Sequence, residues 1–220
     1  MSEALVPELR FDGFDEEWSA QALGDFTVPL RHNSLSRAEL TSTDTGMQNI
    51  HYGDVLVKFP SVLDFASTPV PFVSNPMRTD LGDLLSTGDV VFADAAEDET
   101  VGRCCELLNA GQRQVVSGLH TIAMHPVQQF GPGFLGHALN ADTFHDQLVP
   151  LMQGTKVSSI STSALSGCLV RYPTVPEQES LGSLFQNLDS LISQQRRKWG
   201  QLQQIKAALM QRMFPKEGAD

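Results

Sequence analysis

The chain has 220 residues, 41% of them apolar and 19% charged, with 15 Lys+Arg against 26 Asp+Glu and a formal net charge of −11. That is room for one sizeable core and an appendage, in a composition typical of globular proteins and without an apolar run long enough to cross a bilayer. The acidic balance argues against an ordinary nucleic-acid binder, which carries a basic footprint. Cys104, Cys105 and Cys168 match neither a disulfide framework nor a zinc pattern.

Met1-Ser2-Glu3 is not followed by a basic and then an apolar stretch, so no secretory leader is expected, and the thiols read as reduced in a cytoplasmic protein. Residues 1–25 space Phe11, Phe14 and Trp18 between Pro7 and Leu23-Gly24-Asp25, and predict an irregular arm pinned to a domain surface. Met47 to Lys58 reads as a loop and then a short strand over Asp54–Lys58. Four prolines between Phe59 and Pro76 predict extended loop. Leu84–Asp89 turns into a second strand, Val90–Ala93. Beyond a polar loop come strands near Gly102–Leu108 and Gln114–Met124, around a turn at Asn109-Ala110-Gly111. Gly133–Leu151 carries helical spacing, and Gly154–Ile160 returns to loop and strand. Pro173 and Pro176 bracket the start of a long helix, with Thr174 and Glu177 as polar start signals. No internal repeat is visible.

That helix, Glu177 to Phe214, is the most informative stretch. Leu181, Leu184, Leu188, Leu191, Leu202, Ile205 and Leu209 recur at a 3–4 spacing, the a and d positions of a heptad seam. Gln195 and Lys198 interrupt the seam at its middle, and Phe185, Ile192, Trp199 and Met213 widen it. Such a face needs another helix to cover it, which points to assembly. The expected fold class is α+β: a mixed-sheet domain over residues 1–176, a coiled-coil helix over 177–214 and a polar tail over 215–220. Residues 1–176 hold 9 Lys+Arg against 21 Asp+Glu, whereas 177–220 hold 6 against 5. Any contact of the globular part with DNA must therefore be local, with help from a more basic partner.

Taken in order, several segments resemble one family: the DNA-specificity subunit of type I restriction–modification systems. They are Pro7–Trp18, then Gly88–Phe92 leading into Asp94–Asp98, then Val115–Thr121 and Gly154–Ser161. Pro173–Glu179 and the helix end Met210–Pro215 complete the order. Such subunits usually carry two target-recognition domains and two spacer helices, and this chain supplies one of each. The Met1 start and the polar residues after Pro215 favour a complete half-length unit over a piece of a longer chain. The resemblance implies a non-catalytic subunit that reads one half of a bipartite DNA target and recruits adenine methyltransferase and restriction subunits. Its helix would pair antiparallel with that of a second copy.

The candidate DNA-facing residues are Lys156, Thr155, His120, Ser117, Arg78, Asp94 and Glu97. The candidate partner interface is Leu181, Leu184, Leu188, Leu191, Gln195, Trp199, Leu202, Ile205 and Leu209. Each site residue also has a plain structural reading. His120 in an apolar strand is either a base reader or a hydrogen-bonded core histidine. Lys156 after Gly154-Thr155 either meets a phosphate or is an ordinary surface lysine. Asp94, Glu97, Asp98 and Glu99 lack the Asp-x-Asp-x-Asp-Gly frame of a calcium loop and read as a solvated loop, or as acceptors for a cytosine amino group. Arg196-Arg197-Lys198 is a solvated helix face or a patch for phosphate or a partner. No phosphate-binding glycine loop, no complete Asn-Pro-Pro-aromatic motif and no nucleophile setting occurs, so neither a cofactor nor a metal is implied. The competing reading is a DNA-independent coiled-coil scaffold.

Overall fold

A computed structural model describes residues 6–154 and 156–214. In chain order the strands are β1 (Ser19–Ala22), β2 (Thr27–Leu30), β3 (Leu40–Thr41), β4 (Met47–Ile50), β5 (Val62–Asp64), β6 (Phe72–Val73) and β7 (Val90–Ala93). They continue as β8 (Ala95–Ala96), β9 (Cys104–Leu108), β10 (Gln114–Ser117), β11 (Thr121–Pro126), β12 (Ser158–Ser159) and β13 (Leu169–Tyr172). The helices are α1 (Tyr52–Val57), α2 (Phe134–Ala138), α3 (Asp142–Leu148), α4 (Thr162–Ser166) and α5 (Val175–Met213). The fold is α+β, with mixed sheets and a long C-terminal helix.

The centre is a five-stranded sheet in the order β2-β11-β7-β9-β5, antiparallel except for the β5–β9 pair. Every side chain of β7 is buried, because successive residues of a strand point to opposite faces and both faces are covered. Val90 and Phe92 join Cys104, Ile122 and Met124 in one core, packed with Phe134 and Leu135 of α2, Phe144 and Leu148 of α3, and Leu165 of α4. Val91 and Ala93 join Cys105, Leu107 and Ala123 in the other, packed with Val55 of α1 and Ile50 of β4. The same alternation explains the adjacent cysteines: Cys104 and Cys105 fill opposite cores, and burial raises both thiol pKa values, that of Cys105 to about 12. Glu106, next along β9, turns its buried carboxylate to the start of α2, accepting from Gly133 N at 2.7 Å and Gly136 N at 2.8 Å.

A second sheet runs β10-β4-β6-β3, with β10 parallel to β4, over a small core of Leu35, Val73, Leu81 and Val116. β13 pairs antiparallel with β1, which gives the N-terminal arm a strand of its own. The prolines of 59–76 space out two short strands, β5 and β6, instead of one loop.

Two further expectations give way. Asp54–Lys58 is not a strand; its residues belong to α1 and the C-cap that follows it. His51 caps α1, its Nδ1 accepting from Gly53 N at 3.1 Å, and Val55 is buried while Val57 is 77% exposed, a helical pattern of burial. Gln114–Met124 is not one strand but two in different sheets, broken at Gly118-Leu119-His120. A side chain at Gly118 would collide with Asn49, Gly118 N donates to Ile50 O at 2.8 Å, and His120 closes the bend at φ +56°.

The described residues up to Ser183 make one compact unit, and those from Leu184 on a second. α5 begins at Val175, two residues before the expected start, and its first turns belong to the first unit. There Glu177 receives two bonds from Arg10, at 2.8 and 2.7 Å. Buried Gln178 accepts from Gly131 N and donates to Pro173 O, both at 2.8 Å. From Leu184 on, the second unit is helix to Met213.

Candidate nucleic-acid interface

Four of the sequence-selected residues converge. Ser158 and Ser159 pair with Ala96 and Ala95, which lays the Lys156 segment beside the acidic loop. Ile160 N then donates to Asp94 O at 2.9 Å, and Asp94 N donates to His120 O at 3.1 Å, so the three segments are stitched through one residue's backbone. The Asp94 carboxylate meets His120 Nδ1 at 3.2 Å. Lys156 and Glu97 are exposed beside this junction, and His120 is exposed as well.

The other three fall elsewhere. Arg78, in the loop after β6, is tied to Asp80 at 2.5 Å and to Glu39 at 2.8 Å, so its charge is already matched. The side chain of Ser117 is fully buried at the end of β10 and lies on no surface that DNA can touch. Thr155 lies outside the described residues. Among the described residues, no group of three or more His, Cys, Asp or Glu could hold a metal ion.

A second set, not selected from the sequence, continues the surface past His120. Tyr52 packs edge-on against His120 with 5.3 Å between ring centroids, and His51 stacks on Tyr52 at 4.7 Å. Arg37 Nη2 lies 3.3 Å from His51 Nδ1, and its Nη1 meets Asp54 at 2.6 Å. Lys58 reaches the same buried carboxylate at 2.9 Å. Burial, followed by the charge of Arg37, lowers the pKa of His51 and favours the neutral ring. Burial alone would raise Asp54, but hydrogen bonds from Arg37 and Lys58 outweigh it and hold the carboxyl below its ordinary range. One buried carboxylate thus positions two cations whose side chains remain 47% and 65% exposed. The result is a continuous strip of Lys58, Arg37, Tyr52, His120 and Asp94. It sets two cations, a charge suited to phosphates, beside ring edges suited to base edges, with the Asp94 carboxylate held on His120. The available signal was His51-Tyr52-Gly53-Asp54, a helix start with a capping side chain and an acidic first turn, hidden once the segment is read as a strand.

In the second unit the apolar residues of the seam are exposed: Leu184, Leu188, Leu191, Trp199, Leu202, Ile205 and Leu209 lie between 41% and 64%. Gln195 is exposed beside them. Leu181 differs, because it packs on the first unit's own core. No helix of the described residues is long and apolar enough to cross a membrane.

No family model matches the chain, and neither does any curated protein. Solved structures do. A chain from a structure describing complex assembly and conformational transition of the type I R-M system superposes with a TM-score of 0.58 at 15% identity, over 92% of this chain and 45% of that one. The HsdS subunit from Thermoanaerobacter tengcongensis matches with a TM-score of 0.54 at 14% identity, over 96% and 47%. The type I restriction-modification S subunit from M. genitalium matches with a TM-score of 0.52 at 15% identity, over 88% and 46%. At these identities the likeness is one of fold, and the chain spans less than half the length of each of these three.

Proposed function

We propose that this chain, which has the fold of about half of a type I specificity subunit, is a DNA-recognition subunit that reads one half of a bipartite target. The observation that carries the reading is this coverage: 88–96% of the chain aligns with 45–47% of each of these chains, the share that one recognition domain and one helix would take of a chain with two of each. The strip from Lys58 to Asp94 supplies the local chemistry that the overall charge of −11 lacks. The chain itself performs no catalysis in this reading. It selects the site, and adenine methyltransferase and restriction subunits act there.

The remaining half of the target follows from symmetry. Two copies joined through the faces from Leu184 to Leu209 form a two-fold pair, the commonest oligomer symmetry, with identical interface patches. An antiparallel pairing brings Gln195 and Lys198 of the two helices together near the middle, a polar layer that sets register at some cost in stability. The 39 residues of α5 span about 58 Å at 1.5 Å per residue, enough for two recognition domains to sit about one DNA turn or more apart. The predicted target is an inverted repeat around an unspecified spacer. Genomic methylation sequencing in a host that carries this chain as its sole specificity subunit tests it. An asymmetric split target overturns the two-fold pair, and the absence of any methylated motif dependent on this chain overturns the recognition role.

A further inference from the structure

Resting on that reading, we infer that His120 is a base reader held by Asp94 in the tautomer that accepts a hydrogen bond, so that the pair selects an amino-bearing base, adenine or cytosine, at one position of the half-site. His120 stands at φ +56°, a left-handed conformation uncommon for any residue with a side chain. Such strain persists only where the surroundings over-determine it, and it gathers at functional sites. Here the surroundings are visible. Gly118 is pinned to Ile50 O and crowded by Asn49, and Thr121 Oγ1 donates back to Gly118 O at 2.6 Å. The ring is held by the edge-on Tyr52 and by Asp94 at Nδ1.

The orientation has a chemical consequence. A carboxylate only accepts hydrogen bonds, so in the neutral ring Nδ1 carries the proton and donates it toward Asp94 Oδ1 at 3.2 Å. Nε2, on the far side of the ring, is then an acceptor, and the side chain is 49% exposed. In the major groove an acceptor pairs with adenine N6 or cytosine N4 and is repelled by guanine O6 or thymine O4. The backbone of Asp94 is bonded to His120 O on one side and by Ile160 N on the other, so the carboxylate is placed before DNA arrives. Asp94 is a positioning residue, and His120 is the one that touches the base.

The test uses the full chain assembled with the adenine methyltransferase subunits of the proposed complex, a randomised duplex pool and sequencing of the retained fraction. Two variants serve: His120→Gly, which removes the ring and accepts the left-handed backbone, and Asp94→Asn, whose amide can face the ring by either its oxygen or its nitrogen and so releases the tautomer. Wild type is expected to prefer adenine or cytosine about tenfold at one position. His120→Gly should lose both that preference and affinity. Asp94→Asn should bring amino and keto bases toward parity at the same position while every other position of the motif keeps its preference. Retention of the complete motif by both variants overturns the inference and leaves the recognition role standing. A wild-type complex that enriches no sequence overturns the recognition role, and the inference falls with it.

Discussion

Gly182 and Gly200 lie in the same helix, and alanine at the two positions should act with opposite signs. In an open helix, glycine to alanine stabilises by about 1 kcal/mol, because glycine loses more backbone freedom on ordering. At Gly200 no atom of the described residues lies within 4 Å of an added Cβ, so that gain should appear unopposed. At Gly182 the added Cβ would fall well under 3.0 Å from the Pro132 carbonyl oxygen, with Phe134 N and Gly133 C at 3.3 and 3.4 Å. Those atoms are backbone and belong to the turn that Gln178 and Glu106 hold by hydrogen bonds, so they yield little. Overpacking of this kind costs about 1–3 kcal/mol, which outweighs the propensity gain and gives a net loss of up to about 2 kcal/mol. Urea unfolding followed by tryptophan fluorescence reports the Gly182 substitution, and far-UV dichroism of thermal melts reports the Gly200 substitution. A Gly182→Ala protein as stable as wild type would show that the first turns of α5 are not packed on the Gly131–Phe134 segment, and with that the argument for a helix start held by the first unit would collapse.

Leu188→Asp should turn the proposed dimer into a monomer at micromolar concentration, because an unpaired carboxylate buried in an apolar seam costs several kcal/mol; sedimentation equilibrium decides, and an unaltered dimer rejects the seam. Lys156→Ala should weaken binding to all duplexes alike and lower the salt slope by about one unit, measured by titration of the assembled complex; unchanged affinity and slope would move the DNA face elsewhere. Burial raises the pKa of Glu106, more than the Gly136 and Gly133 amides lower it. A folded value above the unfolded one means that its stabilising contribution is complete below about pH 4.3 and declines as pH rises through the folded value. Wild type minus Glu106→Gln stability should therefore fall across that window in urea titrations, and a difference flat with pH would contradict the assignment.

The long helix was legible in the sequence because its signal is local: a 3–4 spacing sustained from Leu181 to Leu209 has no other regular conformation that keeps one apolar face. The strand Val90–Ala93 was legible for a related reason, a short β-branched and aromatic run after a Gly-Asp turn. The order of segments pointed to the specificity-subunit fold that the structural neighbours share. The site was not legible in the same way. Whether Val55-Leu56-Val57 makes a strand or a helix depends on the His51 cap and on Asp54 finding Arg37, 17 residues earlier in the chain. The break at His120 depends on β10 lying parallel to β4 while β11 joins the central sheet, a choice among distant partners that leaves no periodicity. Burial removed Ser117 from the surface and ion pairing matched the charge of Arg78, outcomes set by residues far away in sequence. Sequence periodicity governs which elements form when one face must leave water. Only the tertiary structure decides which polar side chains meet, because charge pairing and tautomer choice act over a few ångströms between groups that the chain itself keeps apart.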